Sequence, residues 1–150
     1  MPVQNLRIGW VGFHREGIQA LRSLLESGIR LEGVITLDDT ALAKRSAATS
    51  YAALLAPYGV PLHEVSSIND VSSVSLLKTM QLDLLFVIGW SQILSPEALS
   101  TARLGVIGAH ASLLPRNRGS APINWTLIRG EAIAGNTLIW LTEGVDEGGI

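Results

Sequence analysis

The sequence alternates short apolar runs with segments of helical period, and this alternation constrains its fold more than any other feature. The apolar runs predict strands at Leu6–Val11, Leu31–Leu37, Val60–Val65, Leu82–Gly89, Gly105–Ala109 and Asn136–Thr142. The segments between them predict helices over Gly17–Glu26, around Tyr51–Leu55, from Asp70 or Ser72 to about Met80, from Ser95, and from Ser120 to Gly130. Only residues 38–49, which are small and polar, predict a loose connection. Such alternation predicts an α/β fold, with a mostly parallel sheet and helices on both faces.

Composition narrows the classes of protein to consider. Apolar residues make up 47% of the chain and charged residues 16%, which excludes a disordered or fibrous protein. The net charge is -2 and the eleven cationic residues are scattered, so nucleic acid is not an expected partner. No apolar run approaches the roughly 18 residues of a membrane span, and no secretory signal is evident. We expect a cytoplasmic protein without membrane contacts, and the absence of cysteine excludes thiolate chemistry.

The turn after the first predicted strand reads GWVGFHREG over residues 9–17. Its glycine spacing matches neither the dinucleotide-binding pattern nor the P-loop. Gly12, Phe13, His14 and Arg15 nevertheless follow a strand, at the sheet edge where such folds bind ligands, and they precede a helix N-terminus suited to an anionic group. We expect these residues to contact substrate, and two solvated loop residues at His14 and Arg15 are the alternative interpretation.

A histidine and an aspartate each follow a predicted strand in the second half of the chain. His110 ends one strand and precedes ASLLPRNRGSAPINW, and Asp146 lies in EGVDEGGI after the last strand. Alone, His110 is typical of a hydrogen-bonded core residue and Asp146 of a turn. Two polar residues just past strand ends of one sheet can meet in one crevice, which makes them candidate catalytic residues.

The motif H-x-S-L-L-P-x-x-R-G-x-x-P at 110–122, then a strand, then D-x-G-x-I at 146–150, resembles the family that moves a formyl group from 10-formyltetrahydrofolate to an amine. The segment LDLLFVIGWSQILSP at 82–96 is similar to the folate-binding strand and loop of that family. The resemblance covers nearly the whole chain and is specific from residue 82 onward. It implies a Rossmann-like catalytic domain over residues 1–150, with 10-formyltetrahydrofolate as formyl donor.

The resemblance also implies roles for individual residues. His110 would stabilise the oxyanion and pass a proton toward the departing folate nitrogen, while Asp146 orients its ring. Acceptor contacts are expected from the Gly12–Arg15 turn and from Ser112 and Leu113, and no metal ion is expected. The residues that align with the pterin site are Trp90, Ser91, Gln92, Ile93 and Leu94, with Leu141, Gly144 and Val145 as the opposite wall. Plain core packing is the alternative for Ile93, Leu94 and Leu141.

Position 108 departs from the family pattern. The family has an asparagine two residues before its histidine, and this sequence has Gly108 there. Loss of one oxyanion donor costs about 10²–10³ in turnover, roughly 2.7–4 kcal/mol. Three interpretations stay open: another donor such as Ser112, Asn117 or Asn124 replaces it, the pocket performs a related hydrolysis or acyl transfer, or the protein binds folate without catalysis. The retained histidine and aspartate favour the first.

The expected acceptor is a primary amine of a small molecule, such as a nucleotide-linked amino sugar or a secondary-metabolite intermediate. The variant R-G-x-A-P-x-N-W at 118–125 is most similar to the sugar-nucleotide and methionyl-tRNA branches of the family. Methionyl-tRNA would need a basic surface that the scattered cations do not supply. The family's domain continues past D-x-G-x-I, so a longer natural chain is expected, and a homodimer remains open.

Overall fold

One sheet organises the computed structural model, which describes residues 5–150. Its strands are β1 Ile8–Val11, β2 Leu31–Leu37, β3 Leu62–Val65, β4 Leu82–Val87, β5 Ala102–His110 and β6 Thr137–Trp140. Their order is β3-β2-β1-β4-β5-β6, and every neighbouring pair is parallel except β5 with β6. The predicted α/β fold with a mostly parallel sheet is confirmed. Residues 1–4 of the domain predicted over 1–150 lie outside the described range.

Helices connect the strands at nearly all the predicted places. They are α1 Gly17–Glu26, α2 Asp39–Leu42, α3 Ala52–Leu55, α4 Val71–Thr79, α5 Pro96–Leu99 and α6 Pro122–Ile128, and a 3₁₀ turn at Ala56–Tyr58 follows α3. The connection predicted as loose contains α2, because the Asp38 carboxylate accepts the Ala41 N–H at 2.8 Å and caps the helix. β5 also begins earlier than the predicted Gly105. In the part of the chain that the structure describes, no helix has the length and apolar character needed to cross a membrane.

Two hydrophobic cores hold the sheet from its opposite faces. On one face, Leu21 and Leu25 of α1 are buried with Ile8 and Trp10 of β1. The helical spacing of apolar residues in α1 accounts for this stripe. On the other face, Leu77 of α4 belongs to a core with residues of β4, β5 and α5. The strand ends that carry polar side chains are therefore fixed from both sides.

The start of β4 is held by a carboxylate. Asp83 accepts the backbone N–H of Arg7 at 2.9 Å and the Arg103 Nε–H at 2.7 Å. The backbone hydrogen bond first, and the guanidinium next, hold the pKa of Asp83 below its usual range. Asp83 thus links β4 to the residue before β1 and to β5.

The segment after β6 turns back along that strand. Thr137, the first residue of β6, pairs with His110, so β6 runs away from the edge where the parallel strands end. The Trp140 N–H donates to the Gly149 carbonyl at 2.9 Å, and a Cβ on Gly148 would collide with the Trp140 carbonyl. This close approach requires glycine. It fixes the far end of the segment 141–147, from which Asp146 reaches His110.

Candidate active site

A cavity of about 550 Å³ lies at the carboxyl ends of β4 and β5. Its volume falls within the roughly 300–1,000 Å³ of small-molecule sites. It is lined by the loop after β4, the end of β5, the start of α6 and the segment after β6. The predicted residues that line it are His14, Trp90, Ser91, Gln92, Ile93, Leu94, Gly108, His110, Leu141, Gly144, Val145 and Asp146.

His110 ends β5 with both ring nitrogens facing oxygen atoms. Its side chain is only 12% exposed. Nε2 lies 2.8 Å from the main-chain oxygen of Asn117, and Nδ1 lies 3.4 Å from Asp146 Oδ2. A carbonyl oxygen only accepts, so Nε2 carries a proton and donates it to Asn117. The ring is therefore held in one orientation by a backbone group and faces a carboxylate.

The Asp146 carboxylate joins two segments of the site. Its Oδ2 accepts the Gly119 N–H at 2.7 Å and is the same atom that faces His110. The Asp146 backbone is left-handed, with φ of 51°, which aspartate adopts more readily than most residues. The structure thus brings together the histidine and the aspartate that the sequence singled out, and it ties both to the loop after β5.

The two walls predicted for the pterin face the same cavity. Trp90 packs edge-on against Phe13, with ring centroids 5.6 Å apart. The indole N–H of Trp90 is buried and has no hydrogen-bond partner within residues 5–150. Gln92 instead holds the loop in place. Its Oε1 accepts the Ile68 N–H at 2.9 Å, and its Nε2 donates to the Ser66 carbonyl at 3.1 Å.

Core packing was the alternative interpretation of Ile93, Leu94 and Leu141, and it fits these three residues to different degrees. Leu94 is buried and belongs to a hydrophobic core, although it also lines the cavity. Ile93 is 69% exposed, so it is not a core residue. Leu141 is partly buried and packs on the same core while lining the cavity.

Leu141 occupies the space beside Gly108. A Cβ on Gly108 would lie 2.6 Å from Leu141 Cδ2 and 3.0 Å from its Cγ. The backbone of Gly108 is not in the left-handed region, so steric contact rather than φ limits what position 108 accepts. The place where the family has a carboxamide is here filled by an aliphatic side chain.

Of the three proposed replacement donors, two are engaged elsewhere. Ser112 is buried, and its hydroxyl donates to the Arg116 carbonyl at 2.7 Å. The side-chain amide of Asn117 is bonded to three side chains at the end of α6. Asn124 alone lines the cavity with an exposed side chain. Asn124 is therefore the candidate donor that the geometry leaves available.

Of the residues predicted to contact the acceptor, some line the cavity and others do not. His14 lines the cavity, whereas Gly12 and Phe13 are buried and Arg15 is exposed outside it. Gly12 approaches β4 closely, since a Cβ there would lie 2.5 Å from the Ile88 carbonyl. In the loop after β5, neither of the two predicted contact residues lines this cavity. Ser112 is buried, and Leu113 packs against Gly135.

A buried tyrosine fixes the loop that carries His14. The Tyr51 hydroxyl donates to the His14 carbonyl at 2.8 Å, and burial raises the pKa of Tyr51. The N–H groups of Phe13 and His14 both donate to the Gly89 carbonyl at 3.2 Å. The predictions from sequence did not include Tyr51, because nothing near residue 51 marks a partner at residue 14.

Sequence reasoning also missed two backbone groups at the centre of the site. These are the Asn117 carbonyl, which accepts from His110, and the Gly119 N–H, which donates to Asp146. Backbone groups leave no side-chain signal. Gly119, which donates this N–H, has a positive φ of 92°, a conformation that glycine adopts readily.

Comparison with known proteins identifies relatives of this chain. The family model described as formyl transferase matches residues 16–150. A methionyl-tRNA formyltransferase of Parabacteroides distasonis is 34% identical, over 100% of this chain and 47% of its own length. One of Symbiobacterium thermophilum is 36% identical, over 97% of this chain and 45% of its own length. The chain spans about half the length of the curated relatives it matches.

Solved structures share the fold. A phosphoribosylglycinamide formyltransferase from Bacillus halodurans superimposes with a TM-score of 0.76 at 19% identity, covering 95% of this chain and 75% of that one. A formyltetrahydrofolate deformylase from Pseudomonas syringae pv. tomato superimposes with a TM-score of 0.77 at 21% identity, covering 97% of this chain and 49% of that one. At these identities the superpositions establish the architecture.

Proposed function

Because this chain belongs to the formyl transferase family, we propose that the protein transfers a formyl group from 10-formyltetrahydrofolate to a primary amine. The observation that carries the proposal is the His110–Asp146 contact of 3.4 Å at a cavity lined by both predicted folate walls. The unpartnered indole N–H of Trp90 beside the cavity suits a site that takes a polar ligand.

The reaction forms a bond between the amine nitrogen and the formyl carbon and breaks the bond from that carbon to the folate nitrogen. One proton passes from the amine to the departing folate nitrogen. His110 supplies a ring N–H for the negative charge that develops on the formyl oxygen. Asp146 lies against the ring and is itself held by the Gly119 N–H, so it orients His110 and faces the cavity where the amine proton is released.

We propose that the Asn124 amide is the oxyanion donor that replaces the family's asparagine. Asn124 lies in the first turn of α6, and its side chain is exposed at the cavity. Replacing Asn124 by alanine should lower turnover by about 10²-fold if it is such a donor. Unchanged turnover in Asn124→Ala would remove it from the mechanism.

We take a small-molecule amine as the first acceptor candidate, since the net charge is -2 and the cationic residues do not form a cluster in the sequence. Aminoacyl-tRNA is the second candidate, and the names of the relatives at 34–36% identity favour it. His14 is the predicted acceptor residue with direct access to the cavity. It is therefore proposed as the contact that the two acceptor classes would share.

The test is a transfer assay with 10-formyltetrahydrofolate and a panel of acceptors, read by mass spectrometry of the formylated product. The panel contains nucleotide-linked amino sugars, other small primary amines and methionyl-tRNA. Calorimetry with 5-formyltetrahydrofolate measures folate binding separately. His110→Ala should abolish transfer, and His63→Ala is the matched control because His63 lies on β3 at the other side of the sheet. Absence of both folate binding and transfer would refute the proposal.

A further inference from the structure

We propose that Asn117 is a positioning residue, whose main-chain carbonyl holds Nε2 of His110 so that Nδ1 is the nitrogen that meets the reacting group. The inference rests on the proposed function, because it assigns a working atom to His110 in formyl transfer. As a side-chain donor Asn117 is already engaged, by Thr126, Glu131 and Arg129. Its contacts indicate a different role, exerted through its backbone.

The two nitrogens of His110 are engaged unequally. The Nε2–H donates to the Asn117 carbonyl at 2.8 Å, within the normal range of about 2.7–3.2 Å for N–H···O bonds. Nδ1 lies 3.4 Å from Asp146 Oδ2, beyond that range, and this oxygen already accepts the Gly119 N–H at 2.7 Å. Asp146 lines the cavity and Asn117 does not. The nitrogen with the weaker protein contact is thus the one on the cavity side.

The backbone conformation and the side-chain hydrogen bonds of Asn117 fix the position of its carbonyl group. Its backbone is left-handed with φ of 53°, a conformation that asparagine tolerates because its short side chain can hydrogen-bond locally. Its Nδ2 donates to Thr126 Oγ1 at 3.2 Å and to the Glu131 carboxylate at 3.1 Å. Its Oδ1 accepts from Arg129 Nη1. Every polar group of the side chain is therefore bonded to the end of α6 or the turn that follows it.

This anchoring has a chemical consequence for His110. With Nε2–H committed to a fixed carbonyl, the ring cannot present that proton to a substrate without losing a short hydrogen bond. Nδ1 can exchange its long contact with Asp146 at a smaller cost: it accepts the proton that the attacking amine releases, and the N–H so formed then donates to the formyl oxygen. The side chains around Asn117 therefore act on the reaction only through the orientation of the histidine ring.

The test compares Asn117→Gly with the wild-type chain. Glycine keeps the left-handed backbone accessible and removes only the side-chain anchors. Ring nitrogens are observed by ¹⁵N NMR of histidine-labelled protein, and His110→Gln assigns the His110 signals among the three histidines. In the wild type Nε2 should be protonated in the neutral ring, and in Asn117→Gly the two neutral tautomers should mix. Turnover should fall by about tenfold to a hundredfold, as for a misplaced catalytic group, with the folate KM nearly unchanged.

Two further variants separate positioning from general stability. Gln81→Gly makes the same exchange of a left-handed residue for glycine, with φ of 50° at an exposed position, and should leave spectrum and turnover unchanged. Glu131→Gln keeps an oxygen acceptor for Asn117 and should restore most of what Glu131→Ala loses. A wild-type spectrum in Asn117→Gly, or a bare Nε2 in the wild type, would overturn the assignment. Mixed tautomers with undiminished turnover would overturn the role of Nδ1. If the wild type transfers no formyl group, the proposed function fails, and the spectra still decide whether Asn117 sets the ring.

Discussion

Replacing Gly108 by asparagine would return a carboxamide to the position where the family has one, and the structure sets the conditions under which this can work. The backbone at Gly108 accepts an L side chain. The new Cβ, however, would lie 2.6, 3.0 and 3.2 Å from Cδ2, Cγ and Cδ1 of Leu141, all inside the optimal separation of about 3.5–4.0 Å for carbon atoms. Because Cγ is among them, rotation of the leucine methyl groups alone cannot relieve the contact.

The expected energies follow from this contact. Gly108→Asn alone should lower the free energy of unfolding by about 1–3 kcal/mol, as overpacking does. Leu141→Ala alone should cost about 2 kcal/mol, at the low end for leucine truncation, because Leu141 is only partly buried. The double variant should lose less than the sum of the two by about 1–3 kcal/mol, since the alanine removes the three atoms that collide. Urea unfolding of the four proteins measures this coupling.

The catalytic expectation is separable from the steric one. If the missing donor limits turnover, Gly108→Asn in the Leu141→Ala background should raise kcat by up to about 10²–10³ over Leu141→Ala alone. Gly108→Ala in the same background is the matched control, because it adds the same Cβ without the carboxamide. Additive stabilities would refute the assignment of Leu141 as the residue that fills this space. Equal kcat in the asparagine and alanine variants would refute the limiting role of the carboxamide.

Three other perturbations have defined outcomes. His110→Ala, Asp146→Asn and the double variant should lose similar activity in transfer assays, because groups that act as a unit are non-additive, and additive losses would separate the pair. Asp83→Asn should remove a stabilisation that the wild type has near neutral pH and loses as pH falls through the lowered pKa of the carboxyl group. The unfolding free energies of the two proteins should therefore converge in acid, and a constant difference would contradict this. Tyr51→Phe should cost about 1–2 kcal/mol in thermal or urea unfolding, because the His14 carbonyl loses its donor, and no loss would show that this bond is replaced.

The apolar pattern was sufficient to predict the sheet. Local polar contacts account for the differences between the predicted and the observed elements. The run at 82–87 is a central strand whose side chains are buried or partly buried on both faces, so its hydrophobicity predicted it directly. α2 was missed because its only strong determinant is the cap by Asp38, which resembles a loop residue in sequence. The direction of β6 was not predictable from the pattern either, since an apolar run of four residues has the same composition in both directions.

The meeting of His110 with Asp146 was predicted, but the route between them was not. The prediction assumed that both residues follow strands ending at the same edge, whereas β6 runs antiparallel to β5, away from that edge. The segment between β6 and Gly148 carries the aspartate back to His110, and no side-chain pattern encodes its path. Gly12 lies against Ile88, which is distant in sequence, and Ser112 bonds the main-chain carbonyl of Arg116. Such contacts cannot be inferred from local sequence.

The strand order has a consequence for how the domain assembles during synthesis. β2 and β3 are added outward from β1 on one side, and β4, β5 and β6 are added outward on the other. Each strand therefore pairs with a strand that was synthesised before it, and no strand has to insert between two strands that are already paired. Apart from His14 and Glu16, the residues that line the cavity run from Val87 in β4 to Asp146. Most residues of the two hydrophobic cores precede Val87, so a nascent chain can complete most of its cores before the cavity forms.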